Sequence, residues 1–402
     1  MRVNEFDLEG ISVHISDPRV IAESDNGRCW YPDLLMFSTG EIMLNYSLNA
    51  DDNHNETNTQ AVCISFDGGD SFGFQYDVNG FHNGCGEPRI SLDDGSIVGT
   101  STFLKMEKEN DHRTFLGHRW IYEKGGRSYT VEPWGVRVSG LPGDVSLIPE
   151  KSRTWIEDIR TRIIRLTMPW VQKAGKSRTW WSRINWFGDI VAVDDGSWIS
   201  TISMRFEGDQ LESTVAVRSA DMGKTWEYIS TIAGPDDVPY AQEGFDEPCL
   251  LHLGESRLLC ISRVGSGKDQ FLARAVSPDA GRSWSKPEKM QAYSVAPQIC
   301  RFDSRILALV TGRPGLFLWL CEDENTERWH CIDLMEHHNQ TVKDWKMNEK
   351  QTSAYISILK VEGNKAFVAY DRSPFGWRPV PDDSGERSQI WLVEISVSAD
   401  KE

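Results

Sequence analysis

A chain of 402 residues and 45.6 kDa, 39% hydrophobic and 10% aromatic, holds enough apolar material for one large repeat domain or for two to three average ones. Its 43 Lys+Arg against 60 Asp+Glu leave a net charge of −17, which argues against nucleic acid or an anionic membrane as partner, since both need a basic face. No stretch approaches the roughly 20 apolar residues of a bilayer span, and "MRVNEFDLEGISVHISDP" lacks a signal-peptide core, so a soluble, cytoplasmic chain is expected.

The 8 cysteines lack C-x-x-C spacing, and several lie in apolar runs, which points to reduced, buried thiols. Neither a disulfide framework nor a zinc site is expected. With no H-x-x-H, H-E-x-x-H or EF-hand spacing present, no metal or cofactor is expected either.

In chain order, residues 31–47, "YPDLLMFSTGEIMLNYS", read as an apolar strand, a short turn holding Gly, and a second apolar strand. The loop that follows, "SLNADDNHNETNTQ", has the Asp/Asn richness of a solvated turn and offers Asp51, Asp52, His54 and Glu56. An apolar run then ends in "SFDGGDSF" (65–72), where Asp67 can fold its carboxylate onto nearby N–H groups and Gly69 can take the positive φ that closes a turn. The strand–turn–strand pattern returns at 87–102, opened by Glu87, Pro88 and Arg89. Residues 104 to 185 are irregular, carry "KSRTW" twice, and begin a tryptophan-rich run including Trp134, Trp155, Trp170, Trp180 and Trp181, continued by Trp186. These rings could stack on sugar faces or form a small core of their own.

The third copy lies at 188–203 and is followed by "SADMGKTW" (219–226); the fourth, "EPCLLHLGESRLLCISR" (247–263), is followed by "SPDAGRSW" (277–284). The fifth lies at 296–313 with a degenerate turn, "EDENTERW", and the sixth at 354–372. Asp221 and Asp279 with Gly223 and Gly281 repeat the chemistry of Asp67 and Gly69, and Phe72, Trp226 and Trp284 are placed to plug the sheet beneath each turn. Six strand pairs at this spacing predict an all-β chain, a six-bladed β-propeller with four-stranded antiparallel blades and almost no helix. Residues 1–402 are expected to form a single propeller domain with the long insertion at about 104–185.

These turns and strand pairs resemble the sialidase (neuraminidase) superfamily, whose six-bladed propellers carry S-x-D-x-G-x-x-W "Asp boxes" (BNR repeats); the resemblance covers essentially the whole chain. It implies a carbohydrate-active enzyme, an exo-glycoside hydrolase acting on an acidic sugar. There a tyrosine attacks the anomeric carbon, a glutamate takes its proton, an aspartate protonates the leaving group, and arginines hold the sugar carboxylate. A neutral phenol suits such a substrate, whose own carboxylate would repel a carboxylate nucleophile.

Carried onto this sequence, the resemblance makes Tyr355 in "TSAYISI" the nucleophile and Glu247 in "FDEPCLL" its base. Arg263 and Arg313, each closing the second strand of its copy, match the second and third arginines. Where the family has F-R-I-P, this chain has Cys29-Trp30-Tyr31-Pro32, so Trp30 replaces the first arginine and Arg28 or Arg89 stands as a substitute. Asp52 is the expected acid, with His54 as alternative, and Glu87 could share acid and base duties with Glu247. Each of these residues also has a plain packing or solvated-loop reading. Two other functions stay open: another glycosidase or a polysaccharide lyase on a propeller, and a glycan-binding propeller without catalysis.

Overall fold

A computed structural model describes residues 4–23, 29–36, 40–48, 59–79, 184–204, 211–223, 225–237, 244–265, 271–290, 295–303, 305–322, 325–343, 346–376, 381 and 384–399, with a set of short strands within 89–166. The chain divides into two compact units, Met1–Cys85 with Ala292–Glu402, and Gly86–Gln291.

The first unit holds three antiparallel sheets. Two are consecutive four-stranded meanders: Trp30–Met36, Ile42–Ser47, Thr59–Ser65 and Gly73–Asn79 form one, and Gln298–Arg301, Leu307–Gly312, Leu316–Cys321 and His330–Asp333 the other. The third has six strands and joins the two chain ends, because Glu5–Leu8, Ile11–Ile15 and Arg19–Glu23 add to Gln389–Ala399, Lys365–Arg372 and Ile356–Lys360. Ile11–Ile15 alternates strictly, with Ile11, Val13 and Ile15 buried and Ser12 and His14 exposed, as a half-covered strand should. Trp30–Met36 and Ile42–Ser47 are instead buried along nearly their whole length, the mark of strands covered on both faces.

Stacking explains that burial. Val368 and Val393 of the six-stranded sheet pack with Val310, Leu318 and Leu320 of one meander, and Phe367, Ala369 and Leu392 with Leu34, Leu44 and Tyr46 of the other. Each sheet thus covers a neighbour's apolar face, which a lone hairpin could not achieve.

The second unit repeats the arrangement. Arg89–Ser91, Ile97–Thr100, Gly117–Tyr122 and Tyr129–Trp134 make a four-stranded sheet, as do Phe245–Gly254, Arg257–Val264, Phe271–Ser277 and Glu288–Lys289. Ile184–Ala192, Trp198–Met204, Ser213–Ser219 and Thr225–Ala233 gain a fifth, parallel strand, Arg137–Val138. Ile199, Ala216 and Ile232 pack on Leu250, Leu258 and Cys260, so these last two sheets also stack. A three-stranded sheet, Lys105–Glu107, His112–Thr114 and Arg165–Leu166, is drawn from the tryptophan-rich region.

The expectation of six equal blades is therefore corrected. Among the described residues five sheets, not six, have the four- or five-stranded blade form; the other two are the six-stranded sheet built from both chain ends and the three-stranded one. The physical reason is that Gln389–Ala399 pairs both Ile11–Ile15 and Arg19–Glu23 along one edge, so N-terminal strands outside the repeat pattern enlarge that sheet. One helix, Leu334–Thr341, interrupts the all-β pattern among the described residues, started by Asp333, whose side chain accepts from the Glu336 N–H at 2.9 Å. The seven described cysteines are free thiols.

The turns are locked as their chemistry suggests. Gly69, Gly223 and Gly281 each donate their N–H to the serine four residues earlier at 2.8 Å, and each serine hydroxyl donates to the turn aspartate. Trp226 and Trp284 return their indole N–H to the Gly223 and Gly281 carbonyls at 3.0 and 3.1 Å. The degenerate turn keeps this closure: Trp329 donates to the Thr326 carbonyl at 2.9 Å, and Thr326 takes the positive φ, 60°, of the missing glycine.

Asp67 shows what the lock contributes. The Ser71 hydroxyl at 2.5 Å, the Ser71 N–H at 2.9 Å and the Ser65 hydroxyl at 2.8 Å stabilise its ionised form and lower its pKa from 3.8 to about 2. A depressed carboxylate pKa adds stability that is present above the ordinary value and lost as pH falls through the folded one. Asp67→Ala is expected to cost at most about 1 kcal/mol, given the exposure of the turn. The cost should persist at neutral pH and vanish between about pH 4 and pH 2. Urea melts of parent and variant across that window check it; a difference that stays constant below pH 2 would contradict the assignment.

Candidate functional site

One backbone feature recurs where first strands begin. Tyr31, Glu247, Ala296 and Ala354 have positive φ of 56°, 44°, 36° and 66°, and Gly188 occupies the equivalent place at 87°. The ladder register shifts at three of them, between Trp30 and Asp33, Phe187 and Val191, and Asp246 and Cys249. A left-handed residue other than glycine costs of order 1–3 kcal/mol and persists only where its surroundings fix it. Three expected site residues lie in or beside these kinks: Glu247 within one, Trp30 immediately before Tyr31, and Tyr355 immediately after Ala354.

In the first unit, Tyr355 is half-buried. Its ring meets that of Tyr31 edge-on, with centroids 5.0 Å apart at 75°, and it also packs on Val295 and Ala296. Beneath lies Asp371, fully buried, which accepts from Tyr31 N at 3.2 Å, Thr352 Oγ1 at 2.8 Å, Ser353 N at 2.7 Å and the Ser353 hydroxyl. Burial pushes this carboxyl's pKa up, and the bonds from Ser353, Thr352 and Tyr31 pull against it. Thr352 Oγ1 then accepts from Ala354 N at 3.0 Å and Ser353 Oγ from Tyr355 N at 3.3 Å. Segment 352–355 is thus wrapped around one carboxylate.

The strand that leads into Arg313 abuts this segment at Gly312. Gly312, just before it, lies so close to Ala354 that an added Cβ would fall inside the Ala354 carbonyl oxygen and within 2.7 Å of its Cβ. Only glycine allows the strand Leu307–Gly312 to abut the segment leading into Tyr355. Gly312→Ala is therefore expected to cost about 3 kcal/mol or more by forcing backbone apart, read as a lowered denaturation midpoint. A variant as stable as the parent would mean the two segments are not so closely apposed.

In the second unit, Arg263 is held by two carboxylates. Its Nη2 donates to Asp246 Oδ2 at 3.0 Å, and its Nε lies 3.1 Å from Glu247 Oε2 as an ion pair. All three side chains are at most 8% exposed. Asp246 Oδ1 also accepts from the Glu247 N–H at 2.8 Å, which helps hold the left-handed turn. The charge of Arg263 is thus opposed within its own unit.

Of the other expected residues, Trp30 is fully buried and donates its indole N–H to the Gly376 carbonyl at 2.8 Å, so its side chain serves packing. Trp186 is likewise buried, edge-on to Trp226 at 5.2 Å. Arg89 opens the strand Arg89–Ser91 and is half-buried. Arg28, Asp52, His54 and Glu87 lie outside the described residues. Sequence reasoning passed over Asp246, Asp371 and Arg372. Arg372 ends Lys365–Arg372 much as Arg263 and Arg313 end their copies, is buried, and faces Glu386 at 3.9 Å; burial lowers its pKa and Glu386 works against that. The phrase "AYDR" at that strand end was the available signal.

No protein-family model matches the sequence, and no curated protein matches it. Solved structures do match. A Dyadobacter fermentans protein of unknown function aligns with a TM-score of 0.64 at 16% identity over 97% of this chain and 100% of its own. The Penicillium chrysogenum α-L-arabinanase complexed with arabinobiose aligns at 0.57 and 12% identity over 96% and 99%, and the NanB sialidase of Streptococcus pneumoniae at 0.56 and 9% over 96% and 71%. With the sheets above, these likenesses define the fold as an all-β propeller with four-stranded antiparallel blades.

Proposed function

We propose that the protein is a glycoside hydrolase whose nucleophile is Tyr355. The observation that carries this reading is the first unit's cluster: a half-exposed tyrosine fixed by the edge of a second ring, on a kinked segment wrapped around a buried carboxylate and abutted at Gly312 by the strand that leads into Arg313. The arabinanase and the sialidase that share the fold support a carbohydrate substrate. In the reaction, the phenol oxygen bonds to the anomeric carbon as the glycosidic bond breaks. The phenol proton passes to a carboxylate base, the leaving oxygen takes a proton from an acid, and water then releases the sugar.

Sialidase-like action on an acidic sugar is the first form of this reading, with Arg313 meeting the substrate's carboxylate. A neutral sugar is the second, and two observations favour it: Trp30 is spent on packing, and Arg263 already faces Asp246 and Glu247. A panel of aryl glycosides, sialosides and arabinofuranosides together, read by released aryl alcohol, decides between the forms. Uronate polymers in parallel, read by ultraviolet absorbance, cover the lyase alternative. Release from no glycoside, with absorbance rising on uronates, would end the hydrolase reading.

A further inference from the structure

The buried carboxylate of Asp371 does more than satisfy a fold. It is bonded at one oxygen by Thr352 Oγ1 and Ser353 N, and at the other by Tyr31 N and the Ser353 hydroxyl. Those donors come from two segments more than 300 residues apart, one carrying the ring that abuts Tyr355 and the other leading into Tyr355 itself. Both segments contain a left-handed residue, Tyr31 and Ala354, whose strain requires such an anchor. Thr352 and Ser353 pass the restraint on, since their hydroxyls accept from the N–H groups of Ala354 and Tyr355. Charge-assisted bonds of this kind are the stronger ones, and a fully buried carboxylate would be costly without them.

We propose that Asp371 is a positioning residue, fixing the Tyr355 phenol by clamping the Tyr31 and Thr352–Tyr355 segments together. The proposal rests on the reading of Tyr355 as nucleophile for its consequence in catalysis, and its geometric part stands apart from that reading. A displacement of about 1 Å in a reacting group can cost on the order of 10²-fold in rate, so loss of the clamp should lower kcat with little change in KM.

The test places 3-fluorotyrosine at position 355 and follows its fluorine resonance in four full-length proteins: parent, Asp371→Ala, Asp371→Asn and Val393→Ala. Val393 is buried in the same six-stranded sheet and makes the control for simple destabilisation. The parent should give one resonance displaced by the Tyr31 ring. Asp371→Ala should move it toward the free-tyrosine position, and Val393→Ala should leave it in place. Asp371→Asn keeps the shape but weakens the acceptor; its resonance should move the same way by less, and it carries the test if Asp371→Ala fails to fold. A resonance unchanged in the Asp371 variants, or moved equally by Val393→Ala, overturns the proposal. With any glycoside the parent hydrolyses, Asp371→Ala should lose about 10²-fold in kcat with KM within about threefold, and Val393→Ala neither. If the parent hydrolyses no glycoside while the resonance still moves, the catalytic reading has failed and the clamp stands.

Discussion

Tyr355→Phe should lower turnover about 10⁴-fold or more while the protein melts within about 2 °C of the parent. The substitution removes one oxygen and nothing else, so the edge contact with Tyr31 at 5.0 Å and the packing on Val295 and Ala296 survive. The backbone bond from Tyr355 N to Ser353 Oγ survives as well. What disappears is the only atom that can form the glycosyl–enzyme bond by this route. Tyr355→Ala would be a poorer experiment, because losing the ring would disturb Tyr31 and mix packing with chemistry. A mechanism-based fluorosugar matched to the substrate should add its mass to the peptide containing Tyr355 in the parent and to none in the variant. A Phe variant keeping more than about a tenth of the parental rate would show that the phenol is not the nucleophile.

How much of this was readable in advance follows the range over which each signal acts. The turns were legible because their chemistry is local: serine, aspartate and glycine within five residues specify their own hydrogen bonds. Even the degenerate turn at 322–329 kept its tryptophan, although that Thr326 would take the glycine's conformation was hidden, since threonine seldom does so. Strand pairs were legible from apolar runs, but the blade count was not. Residues 4–23 carry no repeat, and their place on Gln389–Ala399 is a contact between the chain's two ends that no periodicity announces.

At the site, the same division holds. Tyr355, Glu247, Arg263 and Arg313 were singled out through resemblance of short motifs, and the structure adds the surroundings that motifs omit. Asp371 was missed because its meaning lies in donors from Tyr31, Thr352 and Ser353, none of them its neighbours in sequence. The kinks at Tyr31, Glu247 and Ala296 had a weak signal, since each precedes a proline, but X-Pro ordinarily favours extended backbone and so pointed the other way.

Arg263 and Arg313, treated alike by sequence, should separate in experiment. Arg263→Met is expected to destabilise the protein by about 3–5 kcal/mol, because it strands Asp246 and Glu247 as buried carboxylates without a cation. Burying two charges is costly, and methionine fills the volume without offsetting it. Adding Asp246→Asn and Glu247→Gln to Arg263→Met should recover a large part of the loss, since the stranded charges are then gone; a denaturant-based mutant cycle reads the coupling. Arg313 is half-buried, and Arg313→Met should change stability by less than about 1 kcal/mol. If the substrate is acidic, that variant should instead raise KM for the charged sugar and leave a neutral aryl glycoside unaffected. Should Arg263→Met melt like the parent and lose only its grip on an acidic sugar, then Arg263 is a substrate clamp and its carboxylate partners are not what holds it in place.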